Sequence, residues 1–280
     1  MAKAFQTLQE QDNCLMVVDA LNLAFRWKHS GATDFAEDYL RTVQSLKKSY
    51  KAKWVIIAAD QGSSSYRKEI YPEYKQNRKD KFAEQTDAER AAFEIFFEDY
   101  QKTLEHLRAN TDYPVIQFKA TEADDIAAYI VSRVGSMPVD HTWLVSSDRD
   151  WDLCISDTVS RFSYVTRKEI TANNWHTHYD CTQEEYISIK CLMGDSGDNV
   201  LGVEGIGPKR AHQLVQEYGS ALDIVASLPI ASKLKYVQAL NKCGDRIMLN
   251  YQLMDLVTFC RDALGTNTAT IDNILEEYIK

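Results

Sequence analysis

Between Thr142 and Asp152 the chain reads Thr-Trp-Leu-Val-Ser-Ser-Asp-Arg-Asp-Trp-Asp, so two carboxylates, Asp148 and Asp150, stand one residue apart. Oxygen ligands so close together suit a hard divalent cation. The run just before them, Trp143 to Val145, has the size and content of a buried strand. A strand buried on both faces tolerates no charge, so its acids appear where the chain leaves the sheet. In open α/β sheets that carboxyl edge is where ligands bind. Asp and Ser are also ordinary turn formers, and the stretch alone would read as a strand and a polar turn. The chain repeats the arrangement, and that changes the reading.

Cys14-Leu-Met-Val-Val-Asp19 and Trp54-Val-Ile-Ile-Ala-Ala-Asp60 are two more apolar runs ending in aspartate. A fourth strand, Val115 to Phe118, leads into Thr121-Glu122-Ala-Asp124-Asp125, and Asp195 and Asp198 follow Gly194 and Gly197. Acids in the first turn of a helix favour its dipole by only about 0.3–1 kcal/mol each, which would explain Glu122, Asp124 and Asp125 if they stood alone. Together the nine acids demand more. Two bare carboxylates 4 Å apart repel by about 4 kcal/mol at an effective dielectric of 20. Nine cannot cluster without protons or cations. With no His or Cys among them, Mg²⁺ or Mn²⁺ is expected rather than zinc. Two such ions, typically about 3.5–4 Å apart, activate water and stabilise the leaving oxygen in phosphodiester hydrolysis.

The elements that must position these acids are legible by pattern. Three apolar runs ending in acids, two of them separated by a helix, predict a mostly parallel sheet flanked by helices. The helix is Asp34 to Tyr50, with Asp34 as N-cap and Phe35, Tyr39, Val43 and Leu46 on one face. Before it, Phe25, Arg26, Trp27 and Lys28 interleave aromatic and basic residues. Gly62 to Lys81 is polar, basic and tyrosine-bearing; it is long for a structureless loop, and such loops are usually functional or mobile. Thr86 and Glu89 form a capping box for a helix to about Ala109, whose Phe93, Phe96, Phe97, Tyr100 and Leu104 read as core. Thr121 is expected to cap the helix bearing the acids, and Arg161 to Val165 to form another strand. A second capping box, Thr182 and Glu185, opens a helix ending near Gly194. The glycine-rich turn to Gly207 then leads to Pro208 at the first position of a helix that stops at Gly219. Backbone N–H groups in such a turn can meet phosphate, although an ordinary helix–helix turn has the same glycines. Ala221 to Lys280 reads as short helices, whose Lys233, Lys235 and Lys242 either touch a nucleic-acid backbone or form a solvated face.

Composition bounds the class. The 280 residues are 45% apolar and 26% charged, as in an ordinary globular protein. No apolar run approaches a membrane span, and Met1 to Glu10 lacks the apolar core of a signal peptide. Six cysteines without a Cys-x-x-Cys pair read as buried thiols in a reducing compartment. A cytoplasmic location is expected. The net charge of −9 speaks against a nucleic-acid partner, but Lys47 to Phe82 holds ten Lys or Arg against four Asp or Glu. A basic stripe beside an acidic pit can belong to one protein.

These motifs resemble the flap endonuclease and 5′-3′ exonuclease family, and within it the phage-encoded 5′-nucleases of the T-odd coliphage type. The likeness spans nearly the whole chain. It is carried by Val-Val-Asp19, Ala-Ala-Asp60, Tyr74-Lys75-x-x-Arg78, Glu122-Ala-Asp124-Asp125, Ser-Asp148-x-Asp150-Trp-Asp, Gly194-Asp195-x-Gly197-Asp198-Asn and Gly202-Val-Glu-Gly205-Ile-Gly207. The resemblance implies a core over 1–180 of the type shared with PIN domains, including a helical arch at about 62–95. A helical region over 181–280 would carry a helix–hairpin–helix element at about 185–219. It further implies that Asp60, Glu122 and Asp124 hold a first metal, with Asp19 close by through water. Asp148, Asp150, Asp195 and Asp198 would serve a second, with Asp125 between. Tyr74, Lys75 and Arg78 would sit on the arch, through which a 5′ single strand passes, and Lys75, Arg78 and Asp148 would be catalytic. Gly205, Gly207, Lys209 and Arg210 would grip duplex backbone, with a K⁺ ion at the turn, and Arg26 and Lys28 would add DNA contacts. No sliding-clamp tail and no attached polymerase are read. The expected activity is a Mg²⁺-dependent 5′-nuclease acting as a monomer on 5′ flaps, nicks and ends of DNA, and on RNA primers, in phage replication. The rival readings are a PIN-like ribonuclease, which would lack the glycine hairpin, and a non-catalytic junction-binding protein, which would lack acids.

Overall fold

The computed structural model describes residues 12–280. The signal-peptide reading of the first ten residues lies outside them. The described residues form two compact units. One comprises the chain up to Ser64, Gln85–Ala172 and Cys260–Lys280; the other comprises Ser65–Glu84 and Asn173–Phe259. These units cut across the boundary expected near residue 180. The C-terminal return to the first unit is tied by Asp272, which accepts from Tyr129 and pairs with Arg133 at 2.7 Å, and by the Tyr278 hydroxyl on the Val55 N–H.

The first unit is built on six strands: β1 Cys14–Asp19, β2 Ala52–Ala59, β3 Val115–Gln117, β4 His141–Val145, β5 Val159–Ser163 and β6 Lys168–Ile170. Their order is β3-β2-β1-β4-β5-β6, and only β6 runs antiparallel to its neighbour. All six residues of β1 are buried, as its unbroken apolar run requires of a strand covered on both faces. Met16, Val18, Val55 and Ile57 join a core with Trp27, Tyr39, Phe96, Tyr100 and Leu104, supplied by the helices Ala20–Ser30, Ala36–Ser49 and Asp87–Asn110. Each such aliphatic side chain contributes roughly 1.5–3 kcal/mol by leaving water. The helix Ala123–Val134 also packs on β1 and β2. Strand order reverses between β1 and β4, and the crevice at such a switch point is the preferred binding place of open α/β sheets. Asp19 ends β1 there.

Several local expectations are corrected. Asp34 is not an N-cap: it is left-handed (φ 50°) and donates its N–H to Asp99 Oδ2 at 2.9 Å, so Phe35 caps without a side-chain bond. Thr121 does not cap the acidic helix either; Glu122 holds that position, leaving Asp124 and Asp125 in the first turn. The stretch read by pattern as a loop, and by resemblance as part of a helical arch, contains two helices, Ser65–Ile70 and Gln76–Ala83. The strand expected from Arg161 begins two residues earlier. In the Asp87–Asn110 helix, Phe96, Tyr100 and Leu104 are buried but Phe97 is exposed. Both capping boxes form as read.

The second unit is helical, with Gln183–Met193, Pro208–Tyr218, Ala221–Ala226, Lys235–Leu240 and Gly244–Met254 around Leu192, Val203, Ile206, Leu214 and Ile247. Arg67 is buried there, its Nε donating to the Leu253 carbonyl at 2.7 Å. A two-residue hairpin, Gly194–Asp195 (β7) with Val200–Leu201 (β8), carries two of the candidate acids. Glycine is required where it crosses itself: a Cβ on Gly194 would overlap the Gly202 N, and one on Gly202 would overlap the Met193 carbonyl.

Candidate active site

In the first unit the parallel register delivers the acids to one edge. Val18 lies between Ile57 of β2 and Val145 of β4, so Asp19, Asp60 and the Ser146–Asp148 turn leave the sheet together. Asp19 is buried and accepts from Ser146 Oγ at 2.6 Å and the Asn22 N–H at 3.1 Å. Burial raises its carboxyl well above the usual range, and repulsion from Asp60 and Asp148 adds to that against the two hydrogen bonds. Asp60 Oδ1 accepts the Ala123 N–H at 3.1 Å, tying it to the start of the acidic helix. Glu122 and Asp125 are buried, Asp124 half-buried, and Asp148 caps the 3₁₀ turn Arg149–Cys154 by accepting from the Asp150 N–H.

A divalent ion fits this donor set. It is all oxygen, and a buried carboxylate facing further carboxylates is relieved by a proton or a cation. The gathering is looser than nine converging acids implied: among the described residues, no three His, Cys, Asp or Glu side chains are grouped to hold an ion. Asp19, Asp60, Asp124 and Asp148 each accept from a donor of the protein.

Asp195 and Asp198 lie in the second unit, where Asp198 has strong partners. Its carboxylate accepts from Arg78 Nη2 at 2.5 Å and the Tyr74 hydroxyl at 2.9 Å, with Lys75 Nζ 3.6 Å away. Lys75 N donates to the Asp198 carbonyl, Asn77 to that of Ser196, and Asn199 to that of Glu73. Lys75 itself is left-handed (φ 56°) and precedes the helix Gln76–Ala83. One continuous helical face for Lys75 and Arg78 is therefore not what unites them; a shared carboxylate is. Burial acts to raise the Asp198 carboxyl, but Lys75, Arg78 and Tyr74 outweigh it and hold the group below its usual value. A depressed carboxyl stabilises this contact above its unfolded value, near 3.9, and ceases to as pH falls through the folded one. Hydrogen-exchange protection factors in residues 65–84 should therefore fall below about pH 4 while those of the Pro208–Tyr218 helix hold. Unchanged protection of 65–84 at pH 3 would show that Asp198 does not hold the segment.

The remaining candidates are placed less decisively. Gly205 is left-handed (φ 76°), and its carbonyl accepts from Arg210 Nη1 at 2.6 Å while that guanidinium lies 4.6 Å from the Tyr236 ring centre. Arg210 thus braces the turn itself. Gly207 and Lys209 are exposed. Since a Cβ on Gly207 meets nothing within 4 Å, Gly207→Val should fold normally. If duplex backbone approaches there, affinity for a flapped duplex should fall roughly tenfold, one lost phosphate contact being worth ~1.5 kcal/mol. Equal affinity across a salt titration would make the turn merely structural. Arg26 is exposed over Tyr164, 4.9 Å from its ring centre, and Lys28 Nζ stands 3.0 Å over Phe93.

Sequence reasoning passed over Ser146, Trp151, Asp152 and Arg161. Arg161 carried a signal, being a cation inside a wholly buried strand, where it must find an acid. It finds Asp152, at 2.5 Å.

Residues 14–184 match the model of the 5′-3′ exonuclease N-terminal resolvase-like domain, and residues 181–276 that of the 5′-3′ exonuclease C-terminal SAM fold. The flap endonuclease of Escherichia phage T5 is 43% identical over 268 residues, 95% of this chain and 90% of that protein. A solved structure of the phage T5 5′-exonuclease with divalent zinc bound superposes with a TM-score of 0.91 at 42% identity, covering 96% of this chain and all of that one. A phage T5 flap endonuclease pseudo-enzyme–product complex with DNA and metal ions gives 0.90 at 41%, covering 95% and 99%.

Proposed function

The chain belongs to the 5′-3′ exonuclease family, and from that premise we propose that it is a structure-specific, divalent-metal-dependent 5′-nuclease that cuts DNA at 5′ flaps, nicks and ends. The observation that carries the reading is the row of acids at the carboxyl edge of β2, β1 and β4, with buried Asp19 at the switch point. Asp60, Glu122 and Asp124 are assigned to a first ion, with Asp19 beside it. Asp148 and Asp150 are assigned to a second, with Asp125 between. The place of Asp195 and Asp198 at the second ion is supported by the order of motifs alone. Mg²⁺ or Mn²⁺, rather than zinc, suits an all-oxygen set.

When bound, two such ions activate water and stabilise the departing oxygen in phosphodiester hydrolysis. The chain's own part is to orient and to neutralise. Ser146 and Asn22 fix the Asp19 carboxylate, and the Ala123 N–H fixes Asp60. Lys75 and Arg78, moving from Asp198 to the scissile phosphate, would oppose its growing charge. Tyr74, expected to contact DNA, is instead buried in the core of the second unit and holds Asp198 through its hydroxyl. Gly205 and Gly207 offer backbone N–H groups to the duplex, Lys209, Arg210, Arg26 and Lys28 positive charge, and the turn a place for K⁺. Removal of RNA primers, a monomeric state and a place in the host cytoplasm belong to the same proposal; among the described residues no helix is long and apolar enough to cross a membrane.

The test compares three labelled duplexes with a 5′ flap, a 3′ flap and blunt ends, at saturating enzyme and millimolar Mg²⁺. Cutting at the base of the 5′ flap with the 3′ flap spared is expected. Equal cutting of both flaps would remove the 5′ polarity.

A further inference from the structure

Trp151 and Asp152 complete the motif Ser-Asp-Arg-Asp-Trp-Asp, yet neither is assigned to an ion. Trp151 is 1% exposed and sits in the 3₁₀ turn Arg149–Cys154. Its ring does more than fill space. The indole Nε1, a donor with no acceptor capacity, donates to Asp124 Oδ1 at 2.6 Å. Asp124 belongs to a different element, the first turn of Ala123–Val134.

The turn that carries the indole is itself fixed. Arg161 grips both Asp152 oxygens, Nε at 2.5 Å and Nη2 at 2.8 Å, and its Nη1 donates to the Ser146 carbonyl at 2.8 Å. Both partners are buried, and a bidentate Arg–carboxylate pair is directional as well as strong. Ser146 then donates to Asp19 Oδ2 and accepts the Asp148 N–H at 3.0 Å. One buried network therefore reaches Asp19, Asp124 and Asp148.

We infer that Trp151 is a positioning residue for metal binding: from the turn bearing Asp148 and Asp150, its indole N–H orients Asp124 toward the first ion. The inference rests on the two-ion reading above. A neutral donor suits this place, since it fixes one carboxylate oxygen without cancelling the charge that attracts the cation. An arginine or lysine there would compete with the ion. Groups that orient ligands in this way are worth about 10–100-fold in metal affinity.

The test uses the full chain without DNA, counting bound Mn²⁺ by loss of the free-ion electron paramagnetic resonance signal. Trp151→Phe keeps an aromatic ring and removes the donor; Trp175→Phe, whose indole donates to the Cys181 carbonyl, is the control for losing any such bond. Trp151→Phe is expected to bind Mn²⁺ about 10–100-fold more weakly, with the control unchanged. Its single-turnover cleavage of a 5′-flap duplex should recover toward the parental rate as metal is raised. A role in packing alone would lower the melting temperature and leave the metal midpoint where it was. If Trp151→Phe does not melt cooperatively, benzothienylalanine at 151, which swaps the N–H for sulfur at nearly constant volume, takes its place. Parental metal affinity in a folded variant overturns the inference. Failure of the parent to bind Mn²⁺ at all overturns the two-ion reading beneath it.

Discussion

Asp148→Asn should lose cleavage by roughly a thousandfold or more at millimolar Mg²⁺, because a cation at a reacting phosphate is worth several kcal/mol and about 4 kcal/mol is a factor of a thousand. The structure makes this substitution a clean one. Asp148 is exposed and its carboxylate accepts from the Asp150 N–H at 2.9 Å, a bond that an asparagine oxygen can also accept. Charge is lost and the turn survives. Binding to a flapped duplex should stay within a few-fold of the parent by anisotropy in Ca²⁺, since a ligand and not a phosphate contact has been removed. Near-parental turnover by Asp148→Asn would remove this residue from the metal site.

Lys75→Ala should slow single-turnover cleavage of bound substrate by roughly a hundredfold, the usual cost of deleting one donor aimed at developing charge. A solvated lysine giving generic attraction would behave differently, weakening binding and lowering the salt slope by about one counterion. Generic attraction of that kind needs a solvated ammonium. The Lys75 side chain is only 12% exposed and its Nζ faces the Asp198 carboxylate, so little of its charge is offered to long-range attraction. Arg78, with its side chain 59% exposed on the same carboxylate, is the natural comparison and should show the larger effect on affinity. Lys75→Ala that binds tenfold worse yet cuts at the parental rate once bound would refute the catalytic role.

The sheet was legible because its signal is local. Runs such as Leu15 to Val18 and Val55 to Ala59 are apolar on both faces, which only a covered strand satisfies, and their terminal acids mark the exit edge. Capping boxes were legible for the same reason, each being a four-residue event. Asp34 and Thr121 misled because a good capping residue states a propensity and the fold supplies the competitor: Asp99, 65 residues away, takes the Asp34 N–H. After Gly62, helices were implied by the resemblance to an arch and not by pattern, because their partners are distant, Leu253 for Arg67 and Asp198 for Tyr74, Lys75 and Arg78. Among the candidate acids, position along the chain told which side chains carry charge. It could not tell that Asp198 spends that charge on Lys75 and Arg78, or that Asp124 is met by an indole.

The row of acids at the sheet edge implies that cleavage requires a divalent cation, and a metal titration reads that requirement directly. Enzyme stripped with chelator is mixed in excess with a 5′-labelled flap duplex, and the single-turnover rate is followed as Mg²⁺ is restored from zero to tens of millimolar. No product is expected without metal. With metal, the rate should rise more steeply than first order at low Mg²⁺, as two ions require, and then saturate. Cleavage in chelator at the rate seen with Mg²⁺ would contradict the account.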